Sequence, residues 1–253
     1  MRKLLVIGIG AGNPEHVTVQ AIKALNKVDV FFVMDKGDAK SDLVRLRRDI
    51  CERYIEGRFY RFVESPDPVR DPAAASYRDG VDAWHRARAA ILQDLIVSEL
   101  GPDETGGFLV WGDPSLYDST LRIIELMRAH EAVAFTCEII PGITSIQALA
   151  AAHRIALNHI GGDITITTGR RLRDNPAGLA DNTVVMLDGP GAFAAVDPAD
   201  TTIHWGAYLG TDQEILIAGP LGDAAPEIAR ARAAARQRHG WIMDTYLLRR
   251  SEK

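Results

Sequence analysis

The sequence predicts an α/β fold in two parts, the first built on a mostly parallel sheet and the second on a mixed sheet. Three observations carry this expectation. Residues 3–9 form a compact apolar run of strand type, closed by a glycine-rich turn ahead of a helical pattern. As far as residue 140, strand-length apolar runs alternate with helical spacings, the order that gives a parallel sheet with helical crossovers. After His153 short strands follow with fewer helices between them. The break is expected at 137–141, dividing the chain into a first domain over 1–139 and a second over 140–253.

Each element follows from local pattern. After the opening strand, Val17, Ala21, Ala24 and Leu25 recur at helical spacing, with Asn13 as the expected cap and Pro14 in the first turn, where its missing N–H loses no hydrogen bond. Residues 29–34 read as a second buried strand. Leu43, Leu46, Ile50 and Tyr54 mark one face of a helix over 42–54, with charged residues between them. Residues 64–75, charged and holding Pro66, Pro68 and Pro72, read as a loop. A long helix is expected over 76–100, then a Gly101-Pro102 break, a strand over 108–111, a helix over 121–130, an extended stretch over 132–140 and a helix over 144–152. In the second half the strands are expected over 163–168, 183–187, 202–208, 214–219 and 242–250, with one clear helix over 226–239.

Composition narrows the function. At 253 residues the chain buries a sizeable core, and its 47% hydrophobic and 25% charged content is that of a globular protein. A net charge of −5 argues against a nucleic-acid groove, which needs clustered positive charge. Cys51 and Cys137 have no metal-ligand spacing, so neither a disulfide nor a metal site is expected. The opening apolar run is too short for a signal segment, and no stretch has the length of a membrane span, so a cytoplasmic protein is expected.

Three segments carry candidate chemistry. The first, Gly8-Ile9-Gly10-Ala11-Gly12-Asn13-Pro14, lies between strand and helix. A dinucleotide fingerprint would need a further glycine at Asn13, so that reading is disfavoured. The second, Trp111-Gly112-Asp113-Pro114-Ser115-Leu116-Tyr117, ends a strand, where α/β sheets collect ligands. The third, Pro141-Gly142-Ile143-Thr144-Ser145, precedes a helix that Thr144 could cap. Each alone is also an ordinary turn or cap.

In this order and spacing the three resemble the tetrapyrrole (corrin and porphyrin) methylases, and the resemblance extends over essentially the whole chain. It includes Ile155-Ala156-Leu157-Asn158-His159, the strand at 183–189 and the Leu209-Gly210-Thr211 turn. It implies a two-domain fold with the active site in the cleft between the domains, and S-adenosyl-L-methionine as cofactor. Within the family, the insert at 64–88, Met34-Asp35-Lys36-Gly37 and Val185-Met186-Leu187-Asp188-Gly189 are most similar to members that methylate C1 of a corrin precursor and release acetate.

Carried over, the resemblance implies cofactor contacts at Ala11, Trp111, Gly112, Asp113, Leu116, Thr144, Ser145, Asp188 and Gly210. Asp35, at the carboxyl end of the second strand, is the expected acid/base group. The substrate, a polycarboxylate corrin precursor, calls for cations, and Lys36, Arg70, Arg78, Arg170 and Arg171 are the candidates. A homodimer is the family habit. The chain departs from the uroporphyrinogen methylases in having Ile160 where they have an arginine and Asp188 where they have a methionine, which points to a different substrate. The alternatives are another precorrin or uroporphyrinogen C-methyltransferase, or a non-catalytic tetrapyrrole-binding module.

Overall fold

A computed structural model describes residues 1–35, 41–71, 73, 75–130 and 132–251; the side chains of Asp35 and residues 41–44 lie outside that description. The chain divides into two compact units. The first comprises Met1–Gly10 and Pro14–Thr144, the second Ala11–Asn13 and Ser145–Lys253.

The first unit holds strands β1 (Lys3–Gly8), β2 (Val30–Asp35), β3 (Arg61–Pro66), β4 (Thr105–Val110) and β5 (Thr136–Ile140), with helices α1 (Val19–Leu25), α2 (Ser41–Tyr54), α3 (Tyr77–Glu99) and α4 (Thr120–Ala129). The sheet is parallel throughout, in the order β3-β2-β4-β1-β5. Its inner strands β1, β2 and β4 are apolar on both sides because both faces are covered. Leu4, Val6, Phe32, Phe108 and Val110 pack against α3 and α4 through Leu92, Ile96, Ile123 and Met127. Leu5, Ile7, Phe31 and Leu109 pack against α1 and α2 through Ala21, Leu25, Ile50 and Cys51.

Two local expectations are corrected. Pro14–His16 forms only a single 3-10 turn, and α1 begins at Val19, capped by the Thr18 hydroxyl accepting from Ala21 N at 3.1 Å, so Asn13 does not cap it. Residues 64–66, expected in a loop, belong to β3. This is an edge strand paired only with β2, where charges and a terminal proline are tolerated.

The second unit begins with α5 (Ser145–His153) and continues with β6 (Thr165–Thr168), α6 (Gly169–Asp174), β7 (Asn182–Met186), β8 (Thr201–Ala207), β9 (Ile215–Pro220), α7 (Leu221–His239) and β10 (Asp244–Arg250). Its sheet is mixed, in the order β6-β7-β10-β8-β9, with only the β6–β7 pair parallel. Trp205 and Tyr246 are fully buried and pack with Leu221, Ala224 and Ile228 of α7. Helix α7 thus starts five residues ahead of the expected 226. Among the described residues no helix is long and apolar enough to cross a membrane.

Candidate active site

In the first unit the three glycine-rich segments meet. Ile9 N donates to Val110 O at 2.9 Å and Gly112 N donates to Gly10 O at 2.8 Å, joining the first segment to the second. A Cβ built on Gly142 would lie 2.1 Å from the Gly112 carbonyl oxygen, and one on Gly8 would lie 2.7 Å from the same atom. Only glycine permits this approach. Asp113 braces the junction. One carboxylate oxygen accepts from Gly142 N at 2.8 Å, and the other accepts from Ser115 N at 2.8 Å and from the Ser115 hydroxyl. Burial alone would raise this carboxyl, but the bonds from Ser115 and Gly142 outweigh it and hold its pKa below the usual carboxylate range.

The remaining residues of the second and third segments surround this junction. Gly112 has φ +64°, and the Thr144 Cα would stand 3.4 Å from a Cβ placed there. Thr144 is buried, and Leu116 N donates to Asp113 O at 3.2 Å. The Trp111 indole Nε1 is buried and has no hydrogen-bond partner among the described residues.

In the second unit, Ala11 is buried, and a Cβ on Gly12 would fall 2.5 Å from Leu209 O, so the first loop packs onto the Leu209-Gly210-Thr211 turn. Gly210 has φ +77°, and its N–H donates to Glu214 Oε2 at 2.8 Å. The Ser145 and Thr245 hydroxyls are 2.9 Å apart. Among the described residues five non-glycines have positive φ, and three of them, Tyr117, Leu187 and Tyr208, flank these turns. Backbone held in that region persists only where the surroundings enforce it, and it clusters at functional sites.

Asp188 is buried, and its carboxylate is fully engaged. It accepts from Gly191 N at 3.1 Å, Ala192 N at 2.7 Å and the Tyr246 hydroxyl at 2.7 Å. Its carbonyl and that of Gly189 accept from Arg232, which also pairs with buried Asp244; Trp205 Nε1 donates to the same Asp244 oxygen at 2.8 Å. The side chain of Asp188 therefore fixes its own turn, and its neighbour Leu187 stands exposed.

The remaining expected residues are dispersed. Asp35 ends β2, opposite Pro66 of β3. Lys36 lies outside the described residues. Arg70 is exposed over the Tyr77 ring, and Arg78 is exposed beside Asp82 at 3.9 Å. Arg170 and Arg171 are exposed on α6, and Arg171 lines an open cavity with Thr165, Thr167, Leu172 and Asp174. Sequence reasoning passed over Arg47 and Arg88. Both line a cavity at the ends of β2 and β4, and the signal was present: Arg47 sits three residues before Ile50 and four after Leu43, on the apolar face of α2.

Comparison with known proteins sets this geometry in context. The model for the tetrapyrrole (corrin/porphyrin) methylases matches residues 3–225. The chain is 53% identical over 250 residues to a precorrin-6A synthase [deacetylating] of Sinorhizobium sp, a match covering 99% of this chain and 96% of the relative. It is similar to the crystal structure of a cobalamin synthesis related protein (CobF) of Corynebacterium diphtheriae, with a TM-score of 0.85 and 42% identity over 100% of both chains. The fold also matches a uroporphyrin-III C-methyl transferase of Thermus thermophilus, complexed with S-adenyl homocysteine. That match has a TM-score of 0.59 and 18% identity, covering 98% of this chain and 92% of that one.

Proposed function

The chain belongs to the tetrapyrrole methylases, and from that premise we propose that it is an S-adenosylmethionine-dependent C-methyltransferase that methylates C1 of precorrin-5 and, with water as co-reactant, releases the ring's acetyl group as acetate to give precorrin-6A. The observation that carries this reading is the near-full-length likeness to the Sinorhizobium relative. The glycine junction supports the class of chemistry. A cofactor without phosphates needs no charged cradle, and close-packed backbone with an indole donor that has no partner among the described residues suits it. When bound, S-adenosylmethionine supplies an electrophilic methyl group on a sulfonium.

Within the first unit the proposed cofactor contacts are Trp111, Gly112, Asp113, Leu116 and Thr144. Within the second they are Ala11, Ser145, Gly210 and the main chain at Asp188. Methyl transfer needs no protein nucleophile. The residues act by fixing the nucleophilic ring carbon in line with the methyl, an effect worth about 7–11 kcal/mol at most. Asp35 is the proposed base. A carboxylate at the carboxyl end of a parallel strand is where an α/β sheet presents groups to its ligand. A homodimer in the cytoplasm is part of the same proposal, tested by light scattering of the purified protein and by cell fractionation.

Asp35→Asn tests the chemistry. It keeps the shape and removes the base, so single-turnover methylation should fall by about 100-fold or more while S-adenosylhomocysteine affinity stays near that of the wild type. Normal turnover in the folded variant removes Asp35 from the mechanism. A chain that binds a tetrapyrrole but no S-adenosylhomocysteine would instead be a non-catalytic binding module.

A further inference from the structure

In the parallel sheet of the first unit the connections after neighbouring strands part to opposite faces, at β2 and β4 as at β4 and β1. After β2 the chain turns to α2, which packs on the Leu5 and Ile7 face; after β4 it turns to α4, on the Leu4 and Val6 face. β2 and β4 are neighbours, so a crevice opens beyond their carboxyl ends, where open α/β sheets take their ligands. The ladder reports the same opening. β2 pairs with β3, and β1 with β4, over six positions each, but β2 meets β4 only at Val30–Gly106 and Phe31–Gly107.

Arg47 enters where that ladder stops. Val110 O accepts from Ile9 on the β1 side, so Leu109 O, one residue earlier, faces β2. Arg47 Nε donates to Leu109 O at 3.2 Å, and its guanidinium lies 5.7 Å from the centre of the Trp111 ring. A cavity of about 110 Å³ lies here, lined by Arg47, Arg88, Asp118, Thr120 and the ends of β2 and β4. That is large against the roughly 10–15 Å³ that one water needs. Arg88 is held from behind. It pairs with Asp67 at 3.0 Å, its side chain only 13% exposed, and stacks over Trp84, whose indole donates to Pro68 O at 2.8 Å. Asp118 accepts from Thr120 N at 2.6 Å. Among the described residues, two guanidiniums and the Asp118 carboxylate line the cavity, with Asp67 behind Arg88. Burial pulls Arg47 down to about 10 and lowers Arg88 as well, so both gain from an anion brought to them.

We propose that this crevice is a carboxylate subsite in which Arg47 and Arg88 hold one acid side arm of the tetrapyrrole substrate. The proposal rests on the methyltransferase reading above and deepens it by naming substrate-binding residues. A guanidinium fork matches a carboxylate geometrically, and two forks at a half-buried site fix one arm better than exposed surface arginines can.

The test measures the KM for precorrin-5, kcat, S-adenosylhomocysteine affinity and a thermal melt for the wild type and three variants. Arg47→Met should raise KM by about tenfold or more, as expected for losing a charge-assisted hydrogen bond, with kcat and cofactor affinity held within about twofold. Arg47→Lys, which keeps the charge and loses the fork, should recover part of the loss. Arg88→Met/Asp67→Leu leaves no buried charge unpaired and should raise KM to a similar extent; it carries the test alone if Arg47→Met fails to fold. Unmoved KM in the folded variants overturns the subsite, as does a KM that rises only together with loss of cofactor affinity. A wild type that binds no S-adenosylhomocysteine overturns the methyltransferase reading instead.

Discussion

Replacing Gly142 by alanine adds one methyl group where the structure has no room for it. The new Cβ would stand 2.1 Å from the Gly112 carbonyl oxygen and 2.9 Å from both the Cα and the carbonyl carbon of Gly8. Non-bonded carbon contacts sit near 3.5 Å, so the segments must part by about 1 Å or more. Overpacking of this kind costs about 1–3 kcal/mol. The same movement draws Gly142 N away from the Asp113 carboxylate, a bond to a charged group worth about 1.5–3 kcal/mol. About 2.5–6 kcal/mol follows, a fall in Tm of about 5–24 °C for a chain of this size, together with loss of S-adenosylhomocysteine binding. Gly189→Ala is the control. Nothing lies within 4 Å of a Cβ there and its φ is ordinary, so stability should stay within about 0.5 kcal/mol. Melts of both variants, with and without S-adenosylhomocysteine, decide the matter. A Gly142→Ala protein that melts with the wild type and binds the cofactor product equally well would refute the account of the junction.

Three further outcomes follow from named contacts. Asp113 has a depressed pKa in the fold, so its contribution is complete above its unfolded value of about 4 and is lost as pH falls through the folded value. Asp113→Asn should therefore be less stable than wild type at pH 7, by about 1–3 kcal/mol, with the gap closing in acid; a gap that persists in acid denaturation would contradict this. The His204 pKa is lowered by burial and by neighbouring His153 and Arg249. The wild type should accordingly lose stability as pH falls below about 6.5, and His204→Gln should lose less in melts compared at pH 7.5 and 5.5. Arg232→Met leaves Asp244 buried without its cation and should cost about 3–5 kcal/mol, whereas Arg232→Met/Asp244→Leu should recover much of that loss. Denaturant midpoints measure both, and a double variant no more stable than the single one would be the contrary result.

Much of this was legible in the residues. Strands β1, β2 and β4 could be read because a sheet covered on both faces needs near-continuous apolar runs, and residues 3–8 and 30–34 have them. The three glycine segments were readable because close backbone approach tolerates only glycine, as Gly8 and Gly142 show. β3 was hidden because an edge strand may carry charges and proline. The N-cap was misplaced because Asn13 and Thr18 are both good caps, and only tertiary packing chooses between them. Asp188 could be read only as a strand-end residue, because its bond from Tyr246 depends on a partner distant in sequence. Arg47 and Arg88 were passed over because an arginine on a helix reads as solvated surface, even where its spacing puts it on the apolar stripe. Only the splaying of β2 from β4 gives that position a use.

The most direct test of the central claim is an incubation of the purified protein with precorrin-5 and S-adenosylmethionine labelled in its methyl group, followed by mass spectrometry and NMR of the product and by acetate quantification. The account predicts one labelled methyl per macrocycle, located at C1, with one S-adenosylhomocysteine and one acetate formed for each methyl transferred. Label at another ring carbon, methyl transfer without acetate, or no S-adenosylhomocysteine at all would contradict it.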